Sequence, residues 1–111
     1  MDKILPDTSV IIEGLLSDKI SDGEIKTGEV IIHEAVIAEL EHQANMGKSI
    51  GYLGLDEIQR LKDLTEDKGF ELSFKGIRPR AQDIRHASLG EIDALIRQLA
   101  QDEDATLLTS D

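Results

Sequence analysis

The apolar positions of this 111-residue chain recur with two different periods. Short continuous or alternating apolar runs mark strands, and recurrence every three or four residues marks helices. Residues 2–6 are a short apolar run that ends at Asp7 and predict a buried strand. Val10, Ile11, Leu15 and Leu16 follow in helical phase, with Thr8 or Ser9 placed to cap the helix. Residues 17–28 are polar, contain Gly23 and Gly28, and read as a loop. Glu29-Val30-Ile31-Ile32 predicts a second strand. Val36, Ile37, Leu40 and Ala44 then predict a helix, which Gly47, Gly51 and Gly54 are expected to break. A further helix is expected over about 55–68, with Leu55, Ile58, Leu61 and Leu64 in phase and Gly69 as its stop. Residues 70–74 alternate as a strand, and 75–87 read as a basic loop that Pro79 keeps extended. Ser88 with Glu91 is a capping box for a helix over about 89–102, whose apolar side is Leu89, Ile92, Leu95, Ile96, Leu99 and Ala100. Residues 105–109 predict the last strand.

Strands that alternate with helices imply a mostly parallel sheet of about four strands, covered on both sides in a three-layer α/β/α fold. The length fits one domain spanning 1–111. The sequence stops at the edge of its last predicted strand, where a doubly wound domain ordinarily continues. The expectation is therefore a domain that lacks its last helix and strand.

Composition narrows the function classes. Hydrophobic residues make up 40% and charged residues 32%, which is a globular balance. Aromatics are only 3%, so the core must be aliphatic and a base-stacking platform for single strands is disfavoured. The absence of cysteine excludes disulfides and thiolate-bound zinc, and fits a reducing, cytoplasmic setting. No apolar run approaches the roughly 20 residues of a membrane span, and no basic-then-apolar leader is present. The net charge of −11 serves solubility in the first place. It also repels phosphate backbones unless metal ions or local basic patches intervene.

Within that acidic background four carboxylates stand out by position. Asp7 and Asp111 each follow an apolar strand, and so fall at the carboxyl edge of a parallel sheet, where ligands bind. Glu39 lies at the margin of a buried helical stripe, and Asp93 sits between Ile92 and Leu95 near the start of its helix. Such carboxylates are costly to desolvate unless paired or metal-bound. Four oxygen donors suit Mg²⁺ or Mn²⁺, ions that activate water and stabilise the charge of phosphodiester cleavage. With 23 acids in the chain, ordinary electrostatic placement remains open on spacing alone. Lys75, Arg78, Arg80 and Arg85 form the one basic concentration. They read either as phosphate or inter-subunit contacts, or as a solvated loop paired with Asp83 and its neighbours. Gly47-Lys48-Ser49 echoes a phosphate-binding loop, but position 42, where the earlier glycine belongs, is His. His33, His42 and His86 are scattered and read as solvated or capping.

Four motifs carry a family resemblance. They are Asp7-Thr8-Ser9 after an apolar strand, Glu39 within Val36-Ile37-Ala38-Glu39-Leu40, Asp93-Ala94-Leu95-Ile96 with Ala100, and Thr109-Ser110-Asp111. In that order, over nearly the whole chain, they resemble the motifs of the PIN domain family, whose fold is 5′-nuclease-like. The stretch from Glu39 to Asn45, with Gly54-Leu55, is similar to archaeal proteins in which a PIN domain precedes an ATPase module and a KH domain. The resemblance implies a metal-dependent ribonuclease acting on single-stranded RNA, with Asp7, Glu39, Asp93 and Asp111 holding Mg²⁺ or Mn²⁺. Thr8 or Ser9 would orient a ligand or water, and Thr109 would support Asp111. A homodimer and covalently linked ATPase and KH domains are further implications. Some PIN domains are catalytically silent, which sets a second expectation: a module for dimerisation or RNA positioning.

Overall fold

Four strands pair in parallel throughout: β1 (Lys3–Pro6), β2 (Glu29–His33), β3 (Glu71–Lys75) and β4 (Thr106–Leu108), in the order β3-β2-β1-β4. The computed structural model describes residues 2–86 and 89–110, with Arg85, His86 and Leu89 described by their backbone alone. Parallel strands need covered crossovers, and among the described residues six helices supply them. They are α1 (Thr8–Glu13) and α2 (Leu16–Ser21), α3 (Glu34–Asn45) and α4 (Ser49–Lys68), α5 (Ala81–His86) and α6 (Leu89–Asp102). The result is the three-layer α/β architecture expected from the alternation. Val30, Ile31 and Ile32 of β2 are fully buried, as a strand covered on both faces requires. In-register partners share a face, so Leu5, Leu107, Ile31 and His33 lie on one side and Ile4, Leu108, Val30 and Ile32 on the other. No helix among the described residues is long and apolar enough to cross a membrane.

Local departures from the expected elements have identifiable causes. Gly14 is left-handed at φ 76° and ends α1, so Leu15 and Leu16, expected on that helix, fall beyond it, and Leu16 opens α2, which runs on into the 17–28 segment expected to be loop. That six-residue helix is too short to show a period in sequence and is held from outside. Glu57 of α4, fully buried, accepts hydrogen bonds from the Ser17 backbone N–H at 2.8 Å and the Ser17 hydroxyl at 2.6 Å. Arg60 Nη2 lies 3.2 Å from the same carboxylate. The first of these bonds satisfies an N-terminal N–H of α2 that has no partner within the helix. Helix α5 likewise occupies part of the expected basic loop.

Gly47, at φ 73°, does separate α3 from α4. Gly51 and Gly54 do not break a helix; they lie inside α4. A Cβ on Gly51 would sit 2.3 Å from the Ala44 backbone nitrogen, and one on Gly54 2.4 Å from Leu40 Cδ2. These glycines let the two helix backbones touch, an effect no propensity argument contains. Asp7, rather than Thr8 or Ser9, caps α1, with Oδ1 accepting from the Val10 N–H at 3.0 Å. Ser88, the expected cap of α6, lies outside the described residues.

Candidate functional site

The strand order sets β4, β1 and β2 side by side, so the residues after them line one edge. Asp7 follows β1, and its backbone N–H donates to Leu108 O of β4 at 2.9 Å. Its carboxylate is half-buried. Oδ1 accepts from Val10 N and, at 2.6 Å, from the Ser9 hydroxyl, whose oxygen in turn accepts from the Ser110 N–H at 3.4 Å. Oδ2 has no hydrogen-bond partner among the described residues. Next to it in the chain, Thr8 Oγ1 is buried and unpaired.

Helix α6 packs against β4 beside this edge. Ile92, Ile96, Leu99 and Ala100 anchor its buried side, which leaves Asp93 and Arg97 at the margin. Asp7, Asp93, Ile96, Arg97, Leu107 and Thr109 line one cavity of about 310 Å³. Asp93, exposed, has no ion-pair or hydrogen-bond partner among the described residues. Two carboxylates with unpaired oxygens and a hydroxyl residue make an all-oxygen donor set. That chemistry fits Mg²⁺ or Mn²⁺, and Mg²⁺ in particular takes one or two carboxylates and keeps several waters.

The other expected donors stand differently. Glu39 is half-buried on α3, accepts from Gln43 Nε2 at 2.9 Å, and does not line that cavity. Asp111 lies outside the described residues. Among the described residues no three His, Asp or Glu side chains gather into a metal-binding group. Asp7, Asp93 and Thr109 thus line one cavity, Ser9 braces Asp7, and Glu39 is not among the residues that line it.

The basic segment is occupied internally. Lys75 Nζ lies 2.6 Å from Glu103 and 3.4 Å from Glu29. The hydrogen bond to Glu103 is the main reason its pKa is raised. Glu29, buried at the start of β2, is held below the usual carboxylate range, first by the Ser73 hydroxyl and then by the Lys75 ammonium. Arg78 reaches Glu41 at 2.9 Å and Glu34 at 3.6 Å, and Arg80 reaches Asp83 at 3.3 Å. The Arg85 side chain is outside the described residues.

Two residues near the edge were not assigned to the site from the sequence. Arg97 lines the carboxylate cavity, and its only sequence signal was its place four residues after Asp93. His33 ends β2, is 3% exposed, and accepts the Ala35 N–H on Nδ1 at 2.8 Å, capping α3. Burial is the main cause holding its pKa below the ordinary histidine value, with Glu34 opposing. A Cβ at Gly76, itself at φ 88°, would fall 2.6 Å from His33 Nε2, so the ring packs directly on backbone.

Comparison with known proteins agrees with this architecture. A domain of a functionally unknown protein from Methanocaldococcus jannaschii superposes with a TM-score of 0.92 at 41% identity, covering 100% of this chain and 79% of that one. An uncharacterised KH and PIN-domain containing protein of the same organism is 42% identical over 98% of this chain and 17% of its own length. The Holliday junction branch migration ATPase PINA of Sulfolobus acidocaldarius is 26% identical over 97% of this chain and 19% of its own length. The chain therefore spans under a fifth of either curated relative. The family model for the PIN domain matches residues 4–111, and the chain belongs to the PIN domain family.

Proposed function

We propose that this domain is a divalent-metal-dependent ribonuclease acting on single-stranded RNA within a larger cytoplasmic protein. The observation that carries the reading is the cavity in which Asp7 and Asp93, from opposite ends of the chain, present carboxylate oxygens unpaired among the described residues beside Thr109. Asp7, Asp93, Glu39 and Asp111 would hold Mg²⁺ or Mn²⁺, which supplies an activated water and neutralises charge at the reacting phosphate. Ser9 fixes the rotamer of Asp7 through its 2.6 Å hydrogen bond. Thr109 would support Asp111. A KH module like the one named in the Methanocaldococcus relative clamps single-stranded nucleotides, which favours an unpaired RNA substrate.

Manganese titration by calorimetry, paired with cleavage of a fluorescent single-stranded RNA, tests this. Asp93→Asn is expected to lower cleavage by about 100-fold or more and to weaken Mn²⁺ binding. A full-length protein that binds no divalent metal overturns the proposal. The second reading, a silent module that dimerises or positions RNA for linked ATPase and KH domains, draws on the lack of a preassembled three-carboxylate group among the described residues. It predicts a dimer by light scattering, and no cleavage with either metal in the same sample.

A further inference from the structure

We propose that Arg97 is the phosphate-contact residue of the Asp7–Asp93 cavity. The inference rests on reading that cavity as a site for nucleic acid. A polyanion approaching a chain of net charge −11 meets net repulsion. A metal held by the carboxylates offsets charge at one phosphate and leaves its neighbours uncompensated. Some cation beside the metal must receive them.

Among the described side chains of the basic segment that the sequence offers for this task, the cations are already paired. Lys75, Arg78 and Arg80 each face a carboxylate of this same chain. Arg97 differs on three counts. It lines the carboxylate cavity itself. It is exposed, and it has neither an ion pair nor a hydrogen bond among the described residues. It also follows Asp93 by four residues on one helix, a spacing at which Asp and Arg commonly pair, yet no such pair forms. The guanidinium is left presenting its donors at the cavity mouth. Arg97 further lines an adjoining groove of about 730 Å³ with Gln98, Gln101, Asp104 and Leu107, so it borders both cavities. A guanidinium keeps its charge at any physiological pH and grips a phosphate through two parallel N–H donors. That is the chemistry required one helical turn away from the acids.

The test measures binding of a short fluorescent oligouridylate to the protein in Ca²⁺, with Mn²⁺ affinity and Mg²⁺-dependent cleavage measured separately. Arg97→Gln is expected to weaken oligonucleotide binding about fivefold near 0.1 M salt. The slope of log affinity against log salt should fall by about 0.7, one phosphate contact on a single strand. Arg97→Lys should restore the slope, and Mn²⁺ affinity should stay within about twofold in both variants. An unchanged slope and affinity in Arg97→Gln overturns the assignment, and so does loss of Mn²⁺ binding or of folded circular dichroism in that variant. Wild-type protein that binds the oligonucleotide with an Arg97-dependent slope but cleaves nothing leaves the phosphate contact standing and removes the ribonuclease reading. Cleavage that Asp93→Asn abolishes and Arg97→Gln spares does the reverse.

Discussion

Because Oδ1 of Asp7 caps α1 while Oδ2 is unpartnered, different substitutions at this residue separate folding from chemistry. Asparagine is as good an N-cap as aspartate, whereas alanine in place of a capping residue costs about 0.5–2 kcal/mol. Asp7→Asn is therefore expected to keep its melting temperature and lose metal affinity. Asp7→Ala should also lose about 4–8 °C per kcal/mol, read by circular dichroism. Equal melting losses in the two variants would contradict the capping geometry. His33 works through its protonation state. Its Nδ1 accepts the Ala35 N–H only when that nitrogen is unprotonated. The folded-state pKa lies below the unfolded value near 6.5. The stability this cap contributes is thus fully present above about pH 6.5 and is lost as pH falls below it toward the folded pKa. Glu34, the charged neighbour that opposes the shift, moderates the loss without changing its sign. His33→Asn keeps an acceptor and removes the titration, so its melting temperature should fall less than that of wild type from about pH 7 to about pH 5.

At the scale of elements, the α3–α4 hairpin is specified by absent side chains. Gly51 and Gly54 sit in helix interior, where alanine ordinarily gains about 0.8–1 kcal/mol. Here the added Cβ meets the Ala44 backbone or Leu40. Gly51→Ala should destabilise by about 1–3 kcal/mol in urea unfolding, as overpacked cores do, because a backbone nitrogen cannot rotate away. Gly54→Ala should cost less, because the Leu40 side chain can change rotamer. A stabilised Gly51→Ala would show that the helices have room to part. The same pair explains what was hard to see in the sequence. Glycine at helical spacing carries two opposite meanings, breaker and contact, and only the partner helix decides between them. Helices α2 and α5, each of six residues, leave no periodic trace; α2 is fixed by Glu57, a residue on another element.

For the molecule as a whole, the alternation of strands and helices was legible because each crossover must bury an apolar stripe, and long stripes survive in sequence. The carboxyl-edge position of Asp7 was legible for the same reason: a buried strand has a definite end. Which cations remain available was not legible, since ion pairing depends on distance through space. Lys75 read as a candidate phosphate contact, yet β3 brings it against Glu29 and Glu103. The sheet order has a further consequence in time. Ile4 pairs with Val30 on one side and with Thr106 on the other. Ser9 receives the Ser110 N–H, 101 residues away. At ribosomal rates of about 5–20 residues per second, β4 is synthesised on the order of 5–20 s after β1. Until then β1 has an open edge, and Asp7 has neither Leu108 nor Asp93 beside it. Asp7 is synthesised well before the strand that completes its surroundings, so a nascent chain is expected to carry no working pocket before β4 docks.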